Sequence, residues 1–269
     1  HEYKSDIRGA IQNNAVEVAM LPSYRLSYFN FVNTVNGGKA FDTTLEQFNN
    51  KMQPLKRLYL TCNQSKKMDD VSSKQIFQLV DNLSEGIKEE KDPHQRAALL
   101  LQRAVAYAEL QNYSDALSDL DDYVAMEKQS VLGRSERALC QLMLNDYEAS
   151  KGQNVSMKTS QVEGDYAEAI QLAPKNAYLY YNRGNFYAGQ KNYAHAIDDY
   201  TRALQIDSRL AEAYYNRGLA YYYSGNLHMA QQDLSKAGEL GLYHAYALSK
   251  QLGEHKPSAK RNTEKGKRR

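Results

Sequence analysis

The sequence has no tryptophan, only two cysteines and five prolines among 269 residues, and no long hydrophobic run. It therefore lacks the stretch of about 18 apolar residues that marks a membrane-spanning helix. Cys62 and Cys140 form neither a CxxC motif nor a metal-ligand spacing, and the sequence contains no HExxH, phosphate-binding loop or nucleophile elbow. These absences predict a protein that has no metal and no cofactor and is not an enzyme.

An excess of charge of either sign is also lacking over most of the chain. Residues 253–269 contain seven Lys or Arg against two Glu, a net charge of +5. The other 252 residues carry 27 basic and 30 acidic side chains, a net charge of −3, which does not predict a nucleic-acid-binding surface. The tail has almost no apolar residues and is predicted to be disordered. Membrane contact is open only to this basic tail, through anionic lipids.

Tyrosine is the residue in excess, with 22 Tyr beside six Phe, and many of these tyrosines fall in a repeat. Ala177–Gly184 recurs 34 residues later as Ala211–Gly218, and Lys191–Ile197 recurs as Gly225–Gln231. Small residues return at fixed positions in both copies, where two helices would pack closely. A 34-residue period of this kind predicts a helix–turn–helix unit.

The repeat resembles the tetratricopeptide-repeat (TPR) family, whose motif has small residues at positions 8, 20 and 27 and large ones at 4, 11 and 24. The first clear copy places Tyr180, Gly184, Tyr187, Ala196, Tyr200 and Ala203 at these positions. The resemblance implies a stack of helical hairpins, and the second unit fits only with about 12 extra residues near Ser150–Gln161. The four predicted units are 97–130, 131–176 with the insert, 177–210 and 211–242.

An arginine at position 7 and an aspartate at position 23 recur in every unit. Three of the pairs are 16 residues apart and one is 28 apart, a difference that the insert explains. We predict structural ion pairs between the two helices of each hairpin, because an Arg from one helix can reach an Asp on the other. The pairs are Arg103 with Asp119, Arg137 with Asp165, Arg183 with Asp199 and Arg217 with Asp233.

The rest of the chain is predicted to flank this array. An amphipathic capping helix and its connection are expected over residues 76–96, and a closing helix over 243–252. The first 75 residues predict a small α+β module of about three strands, since apolar and polar residues alternate there. The predicted strands are Val16–Met20, Tyr24–Tyr28 and Leu58–Thr61. The predicted fold class is therefore mostly α, a helical-hairpin solenoid preceded by this module.

A concave groove is implied by the TPR resemblance, lined by helix A residues at positions 2, 5, 9, 12 and 13. In the last two units this groove is rich in tyrosine, a side chain with large contact area and a hydrogen-bonding tip. The alternative is that single rings pack against a neighbouring helix. The predicted groove residues are Tyr178, Tyr181, Asn185, Tyr215, Leu219, Tyr222 and Tyr223.

The predicted function is a non-enzymatic scaffold that binds a partner protein or peptide in this groove. The alternative is a structural or oligomerisation subunit of a bacterial envelope complex, with the groove empty or filled by its own chain. Residues Ser5–Tyr28 resemble a segment of large bacterial multi-TPR proteins, which implies the C-terminal portion of a longer, exported protein. This resemblance favours the periplasm, and the cytoplasm stays open as an alternative.

Overall fold

Ten α-helices follow one another in the part of the chain that this computed structural model describes, residues 70–153 and 157–254 together with Met20, Leu21 and Ser23. They are α1 (Asp70–Glu89), α2 (Pro93–Glu109), α3 (Tyr113–Met126), α4 (Val131–Ser150), α5 (Thr159–Leu172), α6 (Ala177–Gly189), α7 (Tyr193–Ile206), α8 (Ala211–Tyr223), α9 (Leu227–Glu239) and α10 (His244–Glu254).

The helices belong to two compact units. The described residues from Leu21 to Ser208 form one unit that contains α1 to α7, and within it each helix from α1 to α6 packs against the next one along the chain. Helices α8 to α10 belong to the other unit, where α9 packs against both α8 and α10. The helical hairpins α2–α3, α4–α5, α6–α7 and α8–α9 correspond in order to the four predicted repeats.

Three of the four hairpins turn through a residue in the left-handed region of the backbone. Gln111 and Lys191 have φ of 60°, and Gly225 has φ of 87°. The left-handed conformation strains Gln and Lys but not Gly, so the first two turns have a local cost that the third avoids. The residue after each of these turns is an asparagine whose side chain caps the following helix: Asn112, Asn192 and Asn226.

The second hairpin differs because its first helix is longer. Helix α4 has 20 residues, whereas α6 and α8 have 13 each. Asn145 occupies the place where the other repeats turn, but the helix continues to Ser150 and stops before Gly152, which has φ of 73°. The longer helix thus takes up part of the extra length that the sequence places near Ser150–Gln161.

The N-terminal boundary of the helical region lies earlier than the sequence indicates. Helix α1 begins at Asp70, six residues before Ile76, and therefore includes residues assigned above to the α+β module. Ile76 and Val80 of α1 pack on Val105 of α2 and cover the front of the first hairpin. In the described residues the secondary structure is helical only, and Met20 has no regular structure. The predicted strands otherwise lie outside the described residues.

The closing helix α10 runs from His244 to Glu254 and so extends two residues into the predicted tail, which from residue 255 lies outside the described residues. Its Tyr246 ring covers Gly238 of α9, where an added Cβ would lie 2.7 Å from the ring. Ala245 and Leu248 are fully buried and hold α10 in place. None of the described helices is long and apolar enough to cross a membrane.

Candidate partner-binding face

Two polar side chains of α6 hold a distant part of the main chain. Tyr181 and Asn185 are four residues apart and so lie on one face of the helix. The Tyr181 hydroxyl donates to the carbonyl oxygen of Leu21 at 3.1 Å. The Asn185 Nδ2 donates to the same oxygen at 3.2 Å and to the Ser23 hydroxyl at 3.0 Å. Tyr181 and Asn185 thus contact residues 160 to 164 positions earlier in the sequence. We call these two residues, together with Tyr200 of the neighbouring helix α7, the α6 face.

The third member of the α6 face fixes the other two. Tyr200 of α7 donates its hydroxyl proton to the Asn185 Oδ1 at 2.7 Å, so the amide nitrogen points away from α7. The Tyr200 and Tyr181 rings pack with their centroids 5.9 Å apart, and both residues are fully buried. Because the two rings and most of the surrounding atoms are shielded from solvent, these part-buried hydrogen bonds are electrostatically stronger than bonds on an open surface. The α6 face is thus a preorganised set of donors aimed at a peptide carbonyl.

The predicted groove residues of the third repeat are covered in the structure. Tyr178 is 4% exposed and Tyr181 is fully buried, and Asn185 is half-buried. Ser23, which accepts from Asn185, is only 8% exposed. Part of the predicted groove of the third repeat is therefore occupied by the protein's own chain. The sequence analysis gives a groove filled by its own chain as part of the alternative to partner binding.

The predicted groove residues of the fourth repeat lie in the other compact unit and behave differently from one another. Tyr215 and Leu219 are fully buried, and the Tyr215 ring meets the His244 ring of α10 edge-on at 5.1 Å. Burial lowers the pKa of His244 below its ordinary value. Tyr222 and Tyr223 pack edge to face at 5.5 Å, and Tyr222 is exposed. Tyr215 therefore packs on the closing helix, and Tyr222 offers the more open ring.

Sequence reasoning missed three residues that build the α6 face contact: Leu21, Ser23 and Tyr200. The repeat pattern indicates Tyr200 only as a large packing residue at position 24. One signal was available, because Asn185 is the single polar residue at a position that is aliphatic in the other repeats. Those residues are Val105, Leu139 and Leu219.

The four arginine–aspartate pairs all form two-pronged hydrogen bonds. In each, the Arg Nε and Nη2 donate to separate carboxylate oxygens, with distances between 2.6 and 2.8 Å. The carboxylates are 2–8% exposed, so these are not the weak ion pairs of an open surface. The bond to Asp119 raises the pKa of Arg103, and the other arginines are shifted in the same direction. The pairs join the two helices of each hairpin.

Tyrosine rings flank three of these arginines within about 6 Å, which adds cation–π attraction to the paired charges. Arg183 lies 6.0 Å from the Tyr180 and Tyr187 ring centres, and Arg217 has the equivalent neighbours. Together with Tyr107 beside Arg103, these tyrosines therefore contribute to the framework of the hairpins. In residues 70–153 and 157–254, no group of three or more His, Cys, Asp or Glu side chains is arranged to hold a metal ion.

Comparison with known proteins agrees with this architecture. Two tetratricopeptide repeat family models match residues 177–210 and 211–240. No curated protein matches the sequence. Among solved structures, a crystal structure of MamA superposes with a TM-score of 0.54 at 20% identity, covering 67% of this chain and 99% of that one.

Two further structures superpose on the chain. TTC0263, a thermophilic TPR protein of Thermus thermophilus, gives a TM-score of 0.50 at 18% identity, covering 77% of this chain and 98% of that one. The C-terminal part of a TPR repeat-containing protein from Cytophaga hutchinsonii gives 0.50 at 20% identity, covering 68% and 71%. At these identities the likeness shows a shared helical-hairpin fold.

Proposed function

Because residues 177–240 of this chain are tetratricopeptide repeats, we propose that it is a non-catalytic scaffold that binds a partner protein, and that the α6 face is part of the binding surface. One observation carries the second half of the proposal. Tyr181 and Asn185 donate two hydrogen bonds to one peptide carbonyl, so this face already holds polypeptide main chain. Repeat proteins of this fold generally bind protein partners.

The chemistry of the α6 face suits an extended peptide. A main-chain carbonyl belongs to every residue, so the two donors provide affinity without demanding a particular side chain. The surrounding tyrosines provide buried apolar contact around those bonds, with few rotatable bonds to immobilise. The Tyr200 bond holds the Asn185 amide in place before a peptide arrives, which lowers the entropic cost of binding.

Partner capture with a matched pair of variants tests this proposal. Asn185→Asp keeps the size of the side chain but replaces the donating amide with an acceptor that repels the carbonyl oxygen. Gln190→Glu introduces the same charge at the exposed end of α6, away from the α6 face. We expect full-length wild-type chain and Gln190→Glu to capture the same partner from native cells, and Asn185→Asp to lose it.

Quantitative mass spectrometry of the captured proteins provides the readout, and circular dichroism checks that each variant is folded. If the Asn185→Asp chain is folded and retains every partner of the wild type, the α6 face is not the binding surface.

The contact of Leu21 and Ser23 with Asn185 also favours a second candidate function, that of a structural assembly subunit. Since Leu21 and Ser23 occupy the α6 face, that face could serve only to join parts of the chain or copies of it. Light scattering separates the two candidates. A tight homo-oligomer that captures no other protein supports the assembly role, whereas a chain that captures a partner through Asn185 supports the scaffold.

A further inference from the structure

Leu21 and Ser23 satisfy the α6 face with two different groups: a main-chain carbonyl and, two residues later, a side-chain hydroxyl. One amide nitrogen, Nδ2 of Asn185, donates to both of these oxygens. An amide nitrogen carries two protons, so both can be used at once. Ser23 is 8% exposed and its bond to Asn185 is shielded from most of the solvent, so leaving this amide proton without an acceptor would cost free energy. The α6 face therefore distinguishes a ligand with a hydroxyl at this place from one without it.

We infer that the partner of this scaffold presents an extended segment with a carbonyl acceptor followed two residues later by Ser or Thr, and that Leu21 and Ser23 are an internal competitor for the same donors. This inference rests on the proposed function and specifies its ligand. Asn185 cannot donate to Leu21 and Ser23 and also to a second peptide in the same geometry, because its two amide protons are already used. A partner must displace the internal segment before it can bind there.

The competition predicts that removing the Ser23 hydroxyl changes the affinity for an added peptide in opposite directions, depending on whether the protein or the peptide is altered. Ser23→Ala in the protein weakens the internal contact, so a peptide added in trans should bind more tightly. The same change within the added peptide should weaken its binding. Each effect should be roughly five-fold, the size expected for loss of a single hydrogen bond.

The probe is a fluorescein-labelled peptide with the sequence of residues 16–28, and its affinity is measured by fluorescence anisotropy with the full chain. We expect the Ser23→Ala chain to bind the peptide roughly five-fold more tightly than the wild type does. The peptide with alanine at the Ser23 place should bind the Ser23→Ala chain roughly five-fold more weakly than the unaltered peptide. Adding Asn185→Ala to the protein should abolish both differences. Circular dichroism confirms that each variant remains folded.

Three results of the anisotropy experiment would each overturn the inference: no binding of the peptide to either chain at millimolar concentration, equal affinity for the wild-type and Ser23→Ala chains, or differences that persist with Asn185→Ala. A peptide that dissociates a dimer of the wild-type chain in light scattering would identify a second copy as the occupant and would also overturn it.

Failure of the inference and failure of the proposed function give different patterns. If Asn185→Asp loses a cellular partner but the peptide experiment shows no competition, the scaffold stands and the internal competitor is wrong. If the peptide competes as expected but no cellular partner depends on Asn185, the competitor is real and the scaffold role fails.

Discussion

The Tyr200 hydroxyl donates to the Asn185 side-chain oxygen at 2.7 Å, and this one bond decides which way the Asn185 amide faces. With its oxygen engaged by α7, the amide turns its nitrogen towards Leu21 and Ser23. A residue of one helix thus determines what a residue of the neighbouring helix can bind.

Tyr200→Phe tests this arrangement. Loss of the hydroxyl should destabilise the fold by about 1 kcal/mol, and it should also loosen the segment at Leu21 and Ser23, because the amide is no longer held. Hydrogen–deuterium exchange measured by mass spectrometry should become faster in peptides that cover residues 20–23. Tyr187→Phe is the control, since it removes a hydroxyl bond from α6 to Glu163 without touching Asn185. Unchanged exchange in Tyr200→Phe would refute the orienting role.

Gly184 and Gly189 lie on the same helix and should respond to alanine in opposite ways. A Cβ on Gly184 would lie 2.6 Å from Cε1 of Tyr200, so the ring must move, at a cost of about 1–3 kcal/mol. A Cβ on Gly189 meets no atom within 4 Å, and alanine should stabilise the helix by up to about 1 kcal/mol. Thermal unfolding followed by circular dichroism measures both, and a Gly184→Ala chain as stable as the wild type would contradict the packing described.

The left-handed turns also predict a pair of opposite effects. Lys191 has φ of 60° and Gly225 has φ of 87° at equivalent places in their hairpins. Lys191→Gly should stabilise the protein by about 0.5–1 kcal/mol, the relief of backbone strain reduced by the greater entropy of the unfolded chain. Gly225→Ala should destabilise it by about 1–2 kcal/mol. Urea unfolding midpoints give the comparison, and a shift of Lys191→Gly to lower urea would show that the strain is absent.

Two histidines should titrate on opposite sides of their ordinary pKa of 6.5. The hydrogen bond to Glu127 raises the pKa of His94, so its stabilising contribution is present below pH 6.5 and is lost as the pH rises through the raised value. Burial lowers the pKa of His244, so its contribution is present above pH 6.5 and is lost on acidification. Nuclear magnetic resonance titration of the ring protons measures both.

Glu127→Gln provides the control for this titration. It should bring the pKa of His94 back towards 6.5 and leave that of His244 unchanged. A His94 pKa that does not move with this substitution would assign the shift to another cause.

The helical hairpins could be predicted from the sequence because their signals are local and repeated. Gly184 and Gly218 are 34 residues apart, and each is followed 16 residues later by the large residue that packs on it, Tyr200 or Leu234. The arginine–aspartate spacing identified the second repeat as stretched. The spacing alone could not show that α4 takes up part of the insert. A 28-residue separation is equally compatible with a helix that ends near Asn145 and with one that continues to Ser150.

The α6 face contact could not be predicted in the same way. Leu21 and Ser23 approach Asn185 across more than 160 residues, and no periodicity relates such distant positions. The high tyrosine content predicted a groove lined by several similar rings, but the burial and hydrogen bonding of each ring depend on its neighbours. Tyr181 and Tyr215 share a place in the motif, but one binds a carbonyl and the other packs on His244.

The long helix α4 has a consequence for how this protein can be rearranged. Its extension beyond Asn145 places Tyr147 edge-on against Tyr113 of the first hairpin, with the ring centres 5.5 Å apart. Tyr147 joins Met143 and Leu144 of the same helix on the apolar cluster that contains Tyr113. The second repeat therefore makes packing contacts with the first that a helix of 13 residues could not make. In an experiment that deletes, duplicates or transplants single repeats, the first two would have to move together as one four-helix block.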